Sequence, residues 1–220
     1  LYTQVGKYDE AVEMLKNRKF NIYEGGEGKL TRHHGWLHVI MGLEKLAKGN
    51  MDEAIAQFKE ALVYPANYGE GRSYMAQEAH IYYFTGLAYE KKGDFEKAKE
   101  YYLKASTKNI FITEVSYFEG LALRKLGKDN EACKVFFKII EEGDRLIKNC
   151  DKYGYFGVGL PIPQPFEGDI RKLNTVAGAL LKGIGYRGLG NDVEEKKAFG
   201  IVRELDPYNF KLHIFDNIVR

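Results

Sequence analysis

The sequence predicts an all-α fold, a right-handed α-solenoid of antiparallel helix pairs with inserted loops. Three observations predict it. Within residues 79–110, Tyr82, Gly86 and Tyr89 share one helical face, Gly93-Asp94 breaks that helix, and Ala98, Tyr102 and Ala105 share one face of a second. Gly86 and Ala98 are small enough for the two helices to approach closely, and the tyrosines fill the space around that contact. Gly120, Ala132 and Phe136 then follow Gly86, Ala98 and Tyr102 at a constant interval of 34 residues. Finally, Gly42, Ala54, Phe58 and Ala61 upstream, and Gly183, Tyr186, Phe199 and Val202 downstream, keep the same internal spacing, with Pro65 and Pro207 ending the second helices. One such pair cannot bury its apolar face alone, so neighbours stack to form the core.

In chain order, Gly6, Tyr8, Ala11 and Leu15 supply the turn and second helix of a first, partial unit near 1–19. The segment FNIYEGGEGKL (20–30) follows, where Gly25, Gly26 and Gly28 cannot continue a helix. A unit near 31–63 starts at Thr31, expected to act as N-cap, and carries His33, His34, Trp36 and His38 on its first helix. A second irregular stretch, YPANYGEGRS (64–73), repeats Gly-Glu-Gly. Units near 72–110 and 112–149 come next. The stretch 151–169 holds alternating Pro161, Pro163 and Pro165 and is expected to be extended and polyproline-like in its middle. Its aromatics Tyr153, Tyr155, Phe156 and Phe166 argue against a plain disordered linker. A degenerate unit near 170–206 has Glu195 where a small residue is expected, which predicts a splayed helix pair. The tail 208–220, with Phe210, Leu212, Ile214, Phe215 and Ile218, reads as a capping helix. The whole of 1–220 is expected to form one helical domain. It starts at Leu1, inside a repeat and without Met, which predicts a fragment of a longer chain.

Composition narrows the function classes. A net charge of +2 with both signs interspersed excludes a basic nucleic-acid stripe. No apolar run reaches the ~18 residues a membrane helix needs. Cys133 and Cys150 lack metal-ligand spacing and suit a reducing, cytoplasmic setting. His34 and His38 share a helical face, but no third ligand is apparent nearby in sequence, so neither a metal nor any other cofactor is expected. No P-loop, dinucleotide fingerprint or nucleophile elbow occurs, and Gly183-Ile-Gly185 is read as helix packing.

The aromatic, Gly, Tyr, Ala pattern at 79–110 resembles the tetratricopeptide repeat. That resemblance places Trp36, Val39, Leu43, His80, Tyr83, Leu87, Glu114, Tyr117 and Leu121 along a concave face. The Lys, Asn and Arg of the carboxylate-clamp version are absent there, which excludes chaperone-tail binding. The apolar lining suits a protein or peptide partner, or else is filled by the inserted loops, with Trp36, His80, Tyr83, Tyr117, Asn67 and Tyr68 as candidate ligand-binding residues.

The two Gly-Glu-Gly loops both follow a second helix, so they project from one edge of adjacent units and are placed to meet. Their carboxylates, Glu24, Glu27 and Glu70, are the candidate catalytic groups, since a held carboxylate can bind sugar hydroxyls or act as general acid or base; solvated turns are the other reading. FNIYEGGEG with His33 and His34, and ALVYPANYGEG, also resemble prokaryotic proteins in which a galactose-mutarotase-like β-sandwich precedes tetratricopeptide repeats. That resemblance implies a carbohydrate site near Glu24, Glu27, Asn67 and Glu70, shared with a missing N-terminal domain. Two functions follow as expectations. One is a non-catalytic scaffold binding a protein, its own N-terminal domain or a second copy; the other is the helical half of a carbohydrate-active enzyme.

Overall fold

The computed structural model describes residues 2–21, 26–108, 110–152, 155–156, 160–161 and 169–217. Among them lie ten α-helices: α1 (Tyr8–Lys16), α2 (Lys29–Ala47), α3 (Met51–Glu60), α4 (Ala79–Lys92), α5 (Phe95–Ala105), α6 (Ser116–Lys125), α7 (Asp129–Lys148), α8 (Ile170–Leu189), α9 (Asp192–Leu205) and α10 (Phe210–Asn217). Short 3-10 turns cover Tyr2–Val5 and Ala66–Tyr68. The chain divides into two compact units, one of residues up to 110 with 121–128, the other of 111–120 with everything from 129.

One contact recurs in every full helix pair. A methyl group on Gly42 would lie 2.3 Å from the Phe58 ring, one on Gly86 2.8 Å from Tyr102, one on Gly120 2.4 Å from Phe136, and one on Gly183 2.3 Å from Phe199. Each aromatic stands sixteen residues after its glycine. The ring therefore packs against the bare backbone of the facing helix, and all four rings are buried. Burying one such side chain contributes roughly 1.5–3 kcal/mol.

The turn between the helices recurs as well. Seven residues after each of these glycines comes another, Gly49, Gly93, Gly127 and Gly190, with φ between 73° and 86°. Only glycine adopts that left-handed conformation without strain. The following N–H then bonds back to a helix carbonyl, as from Asp94 to Tyr89 (2.9 Å) and Asn191 to Tyr186 (2.9 Å), which closes the helix end. Asp94 and Asn191 next cap the second helices, accepting from Lys97 N and Glu194 N.

Two local expectations change. The α8–α9 pair is not splayed: Gly183 meets Phe199 as closely as its counterparts meet theirs, and Glu195 is neutralised by Arg187 at 2.6 Å. Helix α2 starts at Lys29 rather than Thr31, with Gly28 as N-cap. Within 151–169, Tyr155–Phe156 (β1) pairs antiparallel with Leu160–Pro161 (β2), and Tyr153, Pro163, Pro165 and Phe166 lie outside the described residues. In the second unit, α7 and α8 cross where Gly143 and Gly178 face each other, an added methyl on either meeting the other's carbonyl oxygen at 2.6 Å. Gly185 packs on Ile140, so the Gly183-Ile-Gly185 run is indeed helix packing. Among the described residues no helix is long and apolar enough to cross a membrane.

Candidate functional site

The two Gly-Glu-Gly loops meet. Glu70 Oε2 accepts the Gly28 N–H at 2.8 Å and Oε1 the Thr31 N–H at 3.5 Å. These are among the donors a helix leaves unpaired at its N-terminus, where the helix dipole also favours a carboxylate. Glu70 is thus a cap delivered from the neighbouring loop. Glu27 beside it is exposed, and Glu24 lies outside the described residues. Asn67 ties the same loop to the first unit's start, its side-chain amide donating to Leu15 O (2.8 Å) and Arg18 O (2.7 Å) while its backbone carbonyl accepts from Phe20 N (2.9 Å).

Between these loops opens a cleft of ≈270 Å³, lined by Phe20, Asn21, Gly26, Lys29, Leu30, His33, Tyr68 and Glu70. Phe20, Leu30 and Tyr68 belong to the apolar cluster that α1 forms through Ala11 and Leu15 with Leu37. Lys29, His33 and Glu70 supply polar groups to the wall. The volume falls just below the ~300–1,000 Å³ of sites for drug-sized ligands. It matches an apolar side chain or short peptide segment better than a large cofactor. Burial pushes the His33 imidazole below its ordinary value, and its Nε2 lies 3.2 Å from Thr3 Oγ1.

Behind the cleft sit buried polar groups. Burial pushes the Tyr68 hydroxyl up to about 12, so it stays a donor, 3.0 Å from His34 Nδ1. His34 Nε2 lies 3.1 Å from the Glu60 carbonyl oxygen, which can only accept. The proton is therefore on Nε2, and Nδ1 accepts from Tyr68. Burial, with His38 alongside, brings the His34 imidazole down to about 4, so it is neutral at pH 7.

The expected concave lining fares differently. Trp36 and His80 are buried and stacked on each other, ring centroids 4.3 Å apart. Tyr117 is buried beneath Phe215 of α10, at 5.6 Å edge to face, where Lys211 also reaches the buried Glu114 at 2.9 Å. Trp36, His80 and Tyr117 are thus core residues, and none presents a surface to a ligand in this conformation. Tyr83 remains half-buried beside Tyr102. The chain's own last helix takes the place at Tyr117 that a partner was expected to fill.

Sequence reading missed one buried group. Glu78, 5% exposed, accepts from Tyr64 (2.7 Å), Arg72 Nε (2.9 Å) and Tyr82 (3.0 Å). Burial alone would raise its carboxyl, but the hydrogen bonds from Arg72, Tyr64 and Tyr82 outweigh burial and hold it below the usual range. The sequence signal was thin: Arg72 and Glu78 lie in an irregular stretch with no period to single them out.

A profile of the tetratricopeptide repeat matches residues 79–107. The uncharacterized protein MJ0572 of Methanocaldococcus jannaschii is 42% identical over 62 residues, 28% of this chain and 72% of that protein. The chain belongs to the MJ0572 family. Among solved structures, YrrB, a tetratricopeptide-repeat protein with an unusual peptide-binding site, aligns over 96% of this chain and 98% of its own (12% identity, TM-score 0.33). MamA AMB-1 aligns over 94% and 87% (16% identity, TM-score 0.28). In this member of the MJ0572 family, the tetratricopeptide-repeat match falls on α4 and α5.

Proposed function

We propose that the chain is a scaffold that binds a protein or peptide, with the cleft between the two Gly-Glu-Gly loops as its docking point. The observation that carries this is the cleft's makeup: an apolar floor of Phe20, Leu30 and Tyr68 beside polar Lys29, His33 and Glu70. An apolar side chain fills the floor, with Lys29 and His33 on the wall beside it. The tetratricopeptide match at 79–107 supports the same reading, because that fold commonly serves protein binding. A carbohydrate-active role gains no support from the loop geometry, where Glu70 is occupied by backbone N–H groups of α2.

Peptides selected from a displayed random library against the full chain test the proposal. They should share an apolar anchor residue. Leu30→Glu should weaken their binding at least tenfold, while Leu103→Glu, on the exposed face of α5, should leave it unchanged. Selected peptides that bind Leu30→Glu as tightly as the original chain would place the docking surface elsewhere.

A further inference from the structure

His34 and His38 stand one helical turn apart on α2, both 4% exposed. Opposite them, at the end of α3, is Glu60. One ligand atom from each of the three lies within 4.8 Å of the other two. Ligands at zinc distances of 2.0–2.1 Å are ~3.4 Å apart in a tetrahedron, so closing this triad takes a shift of roughly 1 Å.

A second observation points the same way. His38 Nδ1 lies 2.8 Å from Gln57 Oε1, an oxygen that accepts, so His38 carries its proton on Nδ1. Its Nε2 is then a bare lone pair, and this buried atom has no hydrogen-bond partner. A metal-binding histidine shows this arrangement, one nitrogen held by a neighbouring oxygen and the other turned to the ion. We propose that His34, His38 and Glu60 bind a divalent transition-metal ion of the zinc class.

The charges around the site are compatible with this. Both imidazoles are buried, and one nitrogen of each is hydrogen-bonded to a neighbouring oxygen. Lys16 is the cation acting on both rings, and the Glu60 carboxylate acts against it. Two neutral nitrogens and one carboxylate suit zinc better than magnesium or calcium, which require mostly oxygen ligands. His34 gives up one of its two hydrogen bonds, to Tyr68 or to the Glu60 carbonyl, when the ion enters. Both histidines belong to α2 and Glu60 to α3, so the ion would clamp the α2–α3 pair. The inference is independent of peptide binding at the cleft.

Zinc titration of the metal-stripped full chain tests it, followed by calorimetry, melting and cobalt(II) absorption. The expected result is one tight zinc ion per chain and a Tm rise of about 5–10 °C at 100 times Kd. Cobalt(II) should give visible d–d bands without a thiolate charge-transfer band, which separates this site from Cys133 and Cys150. Glu60→Gln, a half-buried and isosteric change, should lower affinity at least tenfold and remove the Tm rise. The proposal is overturned by an absence of zinc binding, by equal binding in Glu60→Gln, or by a cobalt spectrum with thiolate bands.

Discussion

Two helix pairs of identical register, α2–α3 and α8–α9, hold very different contents. In both, a glycine on the first helix lies against an aromatic sixteen residues later, Gly42 on Phe58 and Gly183 on Phe199. Around that shared contact, α8 is a glycine-dense helix whose Gly178, Gly185 and Gly188 receive α7. Helix α2 instead carries His34 and His38 and rests its N-terminus on Glu70. The difference teaches that one small-to-large contact and one left-handed glycine turn specify the pair, leaving other positions free to vary. Buried histidines in α2 are therefore not a requirement of the repeat.

The largest expected effect removes the shared ring. Phe58→Ala and Phe199→Ala, both essentially unexposed, should each cost about 3–5 kcal/mol in urea unfolding. A large loss at one and a small loss at the other would break the equivalence of the two pairs. Adding a methyl where none fits comes next. Gly42→Ala and Gly183→Ala should each lose about 2–3 kcal/mol through overpacking against a ring that has nowhere to move.

A smaller effect sharpens the contrast on the polar side. Glu78→Gln should cost about 1–2 kcal/mol at pH 7, since it weakens four hydrogen bonds to a buried group. The Glu78 carboxyl is held below its ordinary 4.5 in the folded chain. Its contribution is therefore complete above that value and lost as pH falls through the lower folded value. The gap between the original chain and Glu78→Gln should narrow on acidification below the ordinary carboxylate value. A gap that widens would mean that Glu78 is not held ionised by its partners.

Much of this was legible in the sequence because it is periodic. The Gly86, Ala98 and Tyr102 spacing, repeated at 34 residues, gave the helix pairs and their register before any contact was known. What the sequence hid depends on residues far apart in the chain. Glu70 caps α2 from 42 residues beyond Gly28, and Glu60 faces His34 from 26 residues away. No local spacing encodes such pairs. The splay expected from Glu195 failed for a related reason, because Arg187, eight residues earlier, neutralises it across the turn. Burial at Tyr117 is collective: it is covered by Phe215 of the last helix, a contact that no spacing within the tail specifies.

The most direct test of the distinction between fold-bearing and chemistry-bearing residues is urea unfolding of metal-stripped Glu60→Gln beside Gly42→Ala. Glu60→Gln should stay within about 0.5 kcal/mol of the original chain, as a substitution outside the packing register does, while Gly42→Ala loses about 2–3 kcal/mol. The reverse order would contradict the account, because it would make the Glu60 cluster a structural necessity and the Gly42–Phe58 contact dispensable.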